Sequence, residues 1–176
     1  MSAHAFDPRS LGLRTVKLVD QAAGAGSSYD LTVQYDPDFV YGEFFLPINT
    51  AANTFYVQPN GAGTNTHNLG YEVYDGAAAV GFQTNGSGFV VCAPGEAGRD
   101  HVAGRFWLDA KTGFKRRFFG EGAAYDVDVA EMIRANYCRG LWNDSGTALA
   151  TVRITGNVAA CFTGSGWIRL WAGWWG

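Results

Sequence analysis

The chain has 176 residues, enough for one domain with a core of its own. With 47% hydrophobic and 16% charged residues it is neither a disordered tail, a coiled coil nor a solvated helical repeat, and 24 Gly without a Gly-X-Y period exclude collagen. A net charge of -3 leaves no electrostatic footprint for nucleic acid, and no apolar stretch approaches the ~20 residues of a membrane helix, so neither partner is expected.

Aromatic residues reach 15% and sit among many glycines, the composition of an all-β domain of short strands and tight turns. Residues 1–12 read as an N-terminal arm and 13–176 as a single domain. The opening Met1 to Pro8 lacks a basic segment followed by an apolar one, so no secretory signal is expected. Leu13–Val19 is the first strand candidate, and Ala22–Ser28 suits a loop or a crossing between sheets. In Tyr29–Tyr35, Tyr29, Leu31, Val33 and Tyr35 alternate with polar residues, which predicts a half-buried strand. Phe39–Leu46 and Asn53–Gln58 follow, then Asn60-Gly61, which accepts the positive φ angles of a tight hairpin. Leu69–Tyr74, an Asp75-Gly76 turn and Ala78–Gln83 come next. A second Asn-Gly hairpin signal at Asn85-Gly86 leads into Phe89–Cys92. Arg105–Leu108 and Phe114–Phe119 flank a longer hairpin loop, Asp109–Gly113. Asp126–Tyr137 is ambiguous: Val129, Met132, Ile133 and Tyr137 have helical spacing, yet the stretch also reads as a strand ending Ile133, Ala135, Tyr137. Thr151–Thr155 and Trp167–Ala172 close the series. Sequential hairpins predict an antiparallel two-sheet β-sandwich of jelly-roll type, with one short helix near 127–137 as the open point.

Enzyme signatures are missing: no Gly-x-Ser-x-Gly elbow, no His-Glu-x-x-His, no Walker loop and no dinucleotide fingerprint. His4, His67 and His101 are far apart, and no Cys-x-x-Cys spacing points to a metal. Asp100-His101 reads as a polar loop rather than an acid–base pair. Asp126, Asp128 and Glu131 could serve calcium or glycoside hydrolysis, but the fragmentary spacing reads as a solvated acidic face. Asn85-Gly86-Ser87 and Asn143-Asp144-Ser145 match the glycosylation sequon and read as turns. Cys92, Cys138 and Cys161 form an odd, widely spaced set and read as reduced thiols that pack as small hydrophobes. No cofactor, metal or catalytic residue is expected.

Two segments remain. Phe114-Lys115-Arg116-Arg117-Phe118-Phe119 reads first as an amphipathic or edge strand. Its functional alternative uses Arg116 against an acidic subunit or an anionic polysaccharide. At the C-terminal end, Ile168, Leu170 and Ala172 can face the core while Trp167, Arg169 and Trp171 share the other face, followed by Trp174 and Trp175. Indoles on a surface are usually covered by a subunit or a sugar, and Trp and Arg are the usual anchors of protein interfaces. With Trp107, these residues are the interface or glycan-binding candidates.

The closing segment Phe162-Thr163-Gly164-Ser165-Gly166-Trp167-Ile168-Arg169-Leu170-Trp171-Ala172 resembles the last strand of a diffuse family of tailed-phage and prophage virion proteins. That strand follows a Gly-Ser turn, alternates apolar and polar residues and closes on Leu-Tyr-Gly, where this chain has Leu170-Trp171-Ala172. The run from Gly140 through Trp142 to Ile154, and Phe55–Gly61 with its Asn-Gly turn, are similar to further features of the family. The resemblance implies a non-enzymatic β-sandwich on the outside of a virion, as head decoration or cement, spike, or tail-tip component. It implies synthesis in a bacterial cytoplasm, assembly with other virion proteins and with itself, a trimer being one such arrangement, and contact with host surface polysaccharide. A lectin-like carbohydrate-binding module is the alternative, and a small polysaccharide-degrading enzyme the third.

Overall fold

The computed structural model describes residues 14–48, 54–62, 65–74, 78–84, 87–92, 101–125 and 134–175. These form twelve strands and, among the described residues, no helix. They are β1 (Arg14–Gly26), β2 (Ser28–Thr32), β3 (Phe39–Pro47), β4 (Phe55–Pro59), β5 (Thr66–Tyr74), β6 (Ala78–Thr84), β7 (Phe89–Cys92), β8 (His101–Asp109), β9 (Arg116–Tyr125), β10 (Arg134–Trp142), β11 (Thr151–Gly156) and β12 (Phe162–Trp174). One sheet has eight strands in the order β1-β12-β3-β8-β9-β10-β5-β6; the other has four, β2-β11-β4-β7. The strand pairs of both sheets are antiparallel. The protein is an antiparallel two-sheet β-sandwich, as the strand and turn pattern predicts.

Alternation places the core. Val40, Phe44 and Leu46 of β3, Val102, Phe106 and Leu108 of β8, Phe118 of β9, and Ile168 and Leu170 of β12 point inward from the large sheet. Leu31, Phe55, Val57, Phe89, Val91, Val152 and Ile154 meet them from the small one. A buried Asn68 ties the layers together: its Nδ2 donates to Gly88 O at 2.9 Å, and its Oδ1 accepts the Val90 N–H at 3.1 Å. Ile168, Leu170 and Ala172 face the core as expected.

Several boundaries differ from the sequence reading, each for a physical reason. β1 runs on to Gly26 because it pairs with β12 along nearly its whole length, so the crossing expected in 22–28 shrinks to Ser27. β2 ends at Thr32; Tyr35 and Asp36 take positive φ (70° and 42°) ahead of Pro37, which leaves Tyr35 69% exposed instead of in the core. Asn60 and Gly61 do adopt positive φ, but the turn is not a hairpin: it carries the chain from β4 in the small sheet to β5 in the large one. The Asn60 side chain accepts the N–H of Ala150 and Thr151 and donates to Ala148 O, so the turn is anchored to the start of β11. Likewise, 84–88 joins β6 in the large sheet to β7 in the small one. Asp109–Gly113 does join paired neighbours, β8 and β9. Of the ambiguous stretch, Arg134–Tyr137 is strand and 126–133 lies outside the described residues. Outside them as well are the N-terminal arm, Asp75-Gly76 and Asn85-Gly86.

Candidate functional site

The small sheet covers one face of the large sheet. The other face carries side chains from β1 to β10 in cross-strand rows, because directly paired residues share a face. The first row is aromatic: Trp171, Tyr41, Trp107 and Phe119 stand side by side on β12, β3, β8 and β9, with Lys17 at one end and Arg139 at the other. Tyr41 and Trp171 have ring centroids 5.5 Å apart, and the Lys17 ammonium lies 5.9 Å from the Trp171 ring. Phe119 is 46% exposed.

The second row alternates in charge: Asp20, Arg169, Glu43, Arg105, Glu121, ending at Tyr137. Its members pair within the sheet. Arg169 Nε is 3.3 Å from Asp20 Oδ1, Lys17 Nζ is 2.8 Å from Asp20 Oδ2, Arg105 bonds Glu121, and Tyr41 Oη donates to Glu43 Oε1 at 2.7 Å. The Lys17 ammonium, with Arg169, holds the Asp20 carboxyl below its ordinary range. Burial, then the Glu43 carboxylate, pushes the Tyr41 phenol above its ordinary value. Lys17, Arg105 and Arg169 offset Asp20, Glu43 and Glu121, which leaves Arg139, exposed at the far end of the aromatic row, as the excess charge of these two rows.

The third row runs Ala22, Trp167, Phe45, Ala103, Ala123. Its large members are on β12 and β3 and its small ones on β1, β8 and β9. Ala103 and Ala123 floor an open concavity of about 460 Å³, walled by Trp167, Arg105, Glu121 and Tyr137. The Arg169 guanidinium covers the Trp167 ring at 4.6 Å.

Beyond the aromatic row lies a second cluster. Phe39 is fully buried, stacked on Trp107 at 3.8 Å and touched by Trp175 at 5.0 Å. Trp175 remains 48% exposed; its backbone N–H donates to Asp38 Oδ2 at 2.9 Å, and Lys111 meets the same carboxylate at 3.0 Å. Trp107 Nε1 donates to Asp109, whose other oxygen accepts from Arg117 at 2.7 Å.

Five of the seven candidates therefore converge on this side of the large sheet: Trp107, Trp167, Arg169 and Trp171 in the rows, and Trp175 at the margin. Trp174 falls in the alternate set with Leu170 and Ala172, half-buried and off this face. Arg116 is a correction. It is 0% exposed, because β9 alternation sends 116 and 118 inward and 117 and 119 outward. Its guanidinium lies 4.3 Å from the Trp142 ring, Nε donates to Lys111 O at 3.1 Å, and Nη2 donates to Thr147 O at 2.7 Å. It is spent on the fold and cannot reach a subunit or a polysaccharide. Asp100, Asp126, Asp128 and Glu131 lie outside the described residues. The three cysteines are buried thiols outside any disulfide; burial pushes the Cys138 thiol up to about 12.

Sequence reasoning missed Tyr41, Glu43, Phe45, Arg105, Phe119 and Glu121 as members of the face. One signal was present: in Phe39–Leu46 both alternating sets are largely aromatic or aliphatic, as in a strand covered on two sides. Comparison of the chain with protein-family models, curated proteins and solved structures returns no match.

Proposed function

We propose that this chain is a non-enzymatic structural protein of a bacteriophage particle, exposed on its surface as head decoration or cement, spike, or tail-tip component, and made in the host cytoplasm. It acts by assembly with other virion proteins and with itself. The observation that supports this reading is the outer face of the large sheet. An aromatic row beside a row of alternating charges that pair within the sheet is suited to burial under protein, since Arg169 with Asp20 and Arg105 with Glu121 are already matched and the excess Arg139 lies at the exposed margin. The closing strand that carries the resemblance supplies three members of that face, Trp167, Arg169 and Trp171.

The test is a mass-spectrometric inventory of purified particles from the phage or prophage that encodes the chain. Stoichiometric recovery with the particle, and labelling of the intact particle by an antibody to the chain, is the expected result. Recovery only in the unassembled cell fraction would overturn the reading. A second reading, a lectin-like adhesin, draws on the exposed Trp175 beside Trp107, with ring centroids 5.8 Å apart and carboxylates of Asp38 and Asp109 nearby. It expects binding on a glycan array that Trp175→Ala abolishes.

A further inference from the structure

The outer face of the large sheet is divided at the boundary between β3 and β8. On one side, β12 and β3 present the large residues Trp167 and Phe45; on the other, β8 and β9 present Ala103 and Ala123 in the same row. The charge row is divided in the same way, Arg169 and Glu43 against Arg105 and Glu121. Over these four strands, each half is the complement of the other.

A two-fold axis parallel to the strands, above the β3–β8 boundary, lays β3 on β8 of a second copy and β12 on its β9. Such an axis preserves position along the strand, so each row meets itself reversed. Trp167 of one copy then stands over Ala123 of the other, in the concavity of about 460 Å³, and Phe45 stands over Ala103. Arg169 meets Glu121, Glu43 meets Arg105, Trp171 meets Phe119 and Tyr41 meets Trp107. The one like-charge encounter, Lys17 with Arg139, falls at the exposed rim, where solvent screens it. Moving the axis to the β12–β3 boundary would set Trp167 against Phe45 and leave the concavity empty.

We propose that this face is the self-interface of a symmetric homodimer, its two sheets packed face to face with the Trp167 side chain of each copy filling the hollow over Ala103 and Ala123 of the other. The proposal rests on the assembly reading above and names the partner as a second copy of this chain. The six strands, the shortest of them nine residues long, at about 4.8 Å spacing and about 3.4 Å rise offer a sheet face of roughly 900 Å² per copy, room for the ~800 Å² per partner of a stable interface. The arrangement is isologous, so it closes at two copies.

Sedimentation of the full chain from about 1 to 100 µM tests it, since mass action makes dimer content concentration-dependent. Wild type is expected to dimerise. Trp167→Ala and Ala123→Trp should each raise the dimer Kd by at least about tenfold, and the double variant should restore it, because knob and hole have exchanged places. The two positions lie three strands apart in one chain, about 14 Å, so the rescue cannot come from a contact within a subunit. Arg169→Glu, Glu121→Arg and their combination repeat the logic with charge, and serve where Ala123→Trp fails to fold by circular dichroism. A monomer throughout the range, a trimer, or a dimer indifferent to both swap sets would overturn the proposal. A chain recovered in particles yet monomeric in solution overturns this pairing and leaves the particle reading standing. A swap-sensitive dimer absent from particles does the reverse.

Discussion

Arg116 sits in a run of three cations, and nothing in Lys115-Arg116-Arg117 marks which one turns inward until the register of β9 against β10 is known. Register pairs Arg116 with Trp142, and the guanidinium stacks there while satisfying two loop carbonyls. Arg116→Ala should lower stability to urea by about 3 kcal/mol, from the vacated volume and the stranded carbonyls. Arg116→Lys should recover less than half of that loss, because an ammonium lacks the planar fork. Carboxylates act at the same scale. The Thr147 backbone and side chain, with the Gly146 N–H, hold the Asp144 carboxyl below its ordinary range, and Arg153 does so for Asp30. A folded-state pKa below the unfolded ~3.9 gives stability that is complete above that value and lost as pH falls through the folded pKa. Urea midpoints should therefore be flat from pH ~7 to ~5 and drop below pH ~4, with a shallower drop in Asp144→Ala. The acid loss should persist in that variant, reduced, because Asp20, Asp30 and Asp38 carry depressed carboxyls too.

At the scale of elements, β3 and β8 interlock through two reciprocal pairs on the core side. Gly42 lies opposite Phe106, and Phe44 lies opposite Gly104. Each ring lies over the facing glycine: a Cβ on Gly42 would come within 2.3 Å of the Phe106 ring, and one on Gly104 within 2.5 Å of the Phe44 ring. Gly42→Ala and Gly104→Ala should each cost about 2–3 kcal/mol in thermal or urea unfolding, the usual penalty for overpacking a filled core. Gly24→Ala on β1, where an added Cβ meets nothing within 4 Å, should shift stability by less than about 0.5 kcal/mol. The strands with clean alternation, such as Thr151–Thr155 and Trp167–Ala172, were legible from sequence because burial on one face writes a period of two. The β10 strand was not, since Arg134–Trp142 mixes small, charged and aromatic residues with no fixed period. Asn60-Gly61 takes the positive φ angles that Asn-Gly accepts, yet it is not the hairpin that the dipeptide suggests. Turn chemistry fixes the local φ angles, and not the sheet that the next strand joins. The candidate face was half legible for the same reason: Trp167, Arg169 and Trp171 alternate within one strand, whereas Tyr41, Arg105 and Glu121 become their neighbours only through pairing across strands distant in sequence.

Over the whole molecule the chain passes repeatedly from one sheet to the other, and the pairs β1–β12, β3–β12 and β2–β11 join segments more than a hundred residues apart. Loop closure must precede those contacts, so refolding from urea should take milliseconds to seconds, in the range of all-β sandwiches. Stopped-flow tryptophan fluorescence measures it; a main phase completed within ~100 µs would contradict this topology. The sheet order carries a further consequence. β12, last of the twelve along the chain, lies between β3 and β1, and it is the strand that holds β1 in the sheet. Arg14–Gly26 thus leaves the ribosome long before its partner strand does, waiting as an unclaimed ribbon of backbone donors and acceptors. Where many copies are translated side by side, a neighbour's β12 is as good a host as its own, and strand exchange between nascent chains becomes the natural failure of this fold.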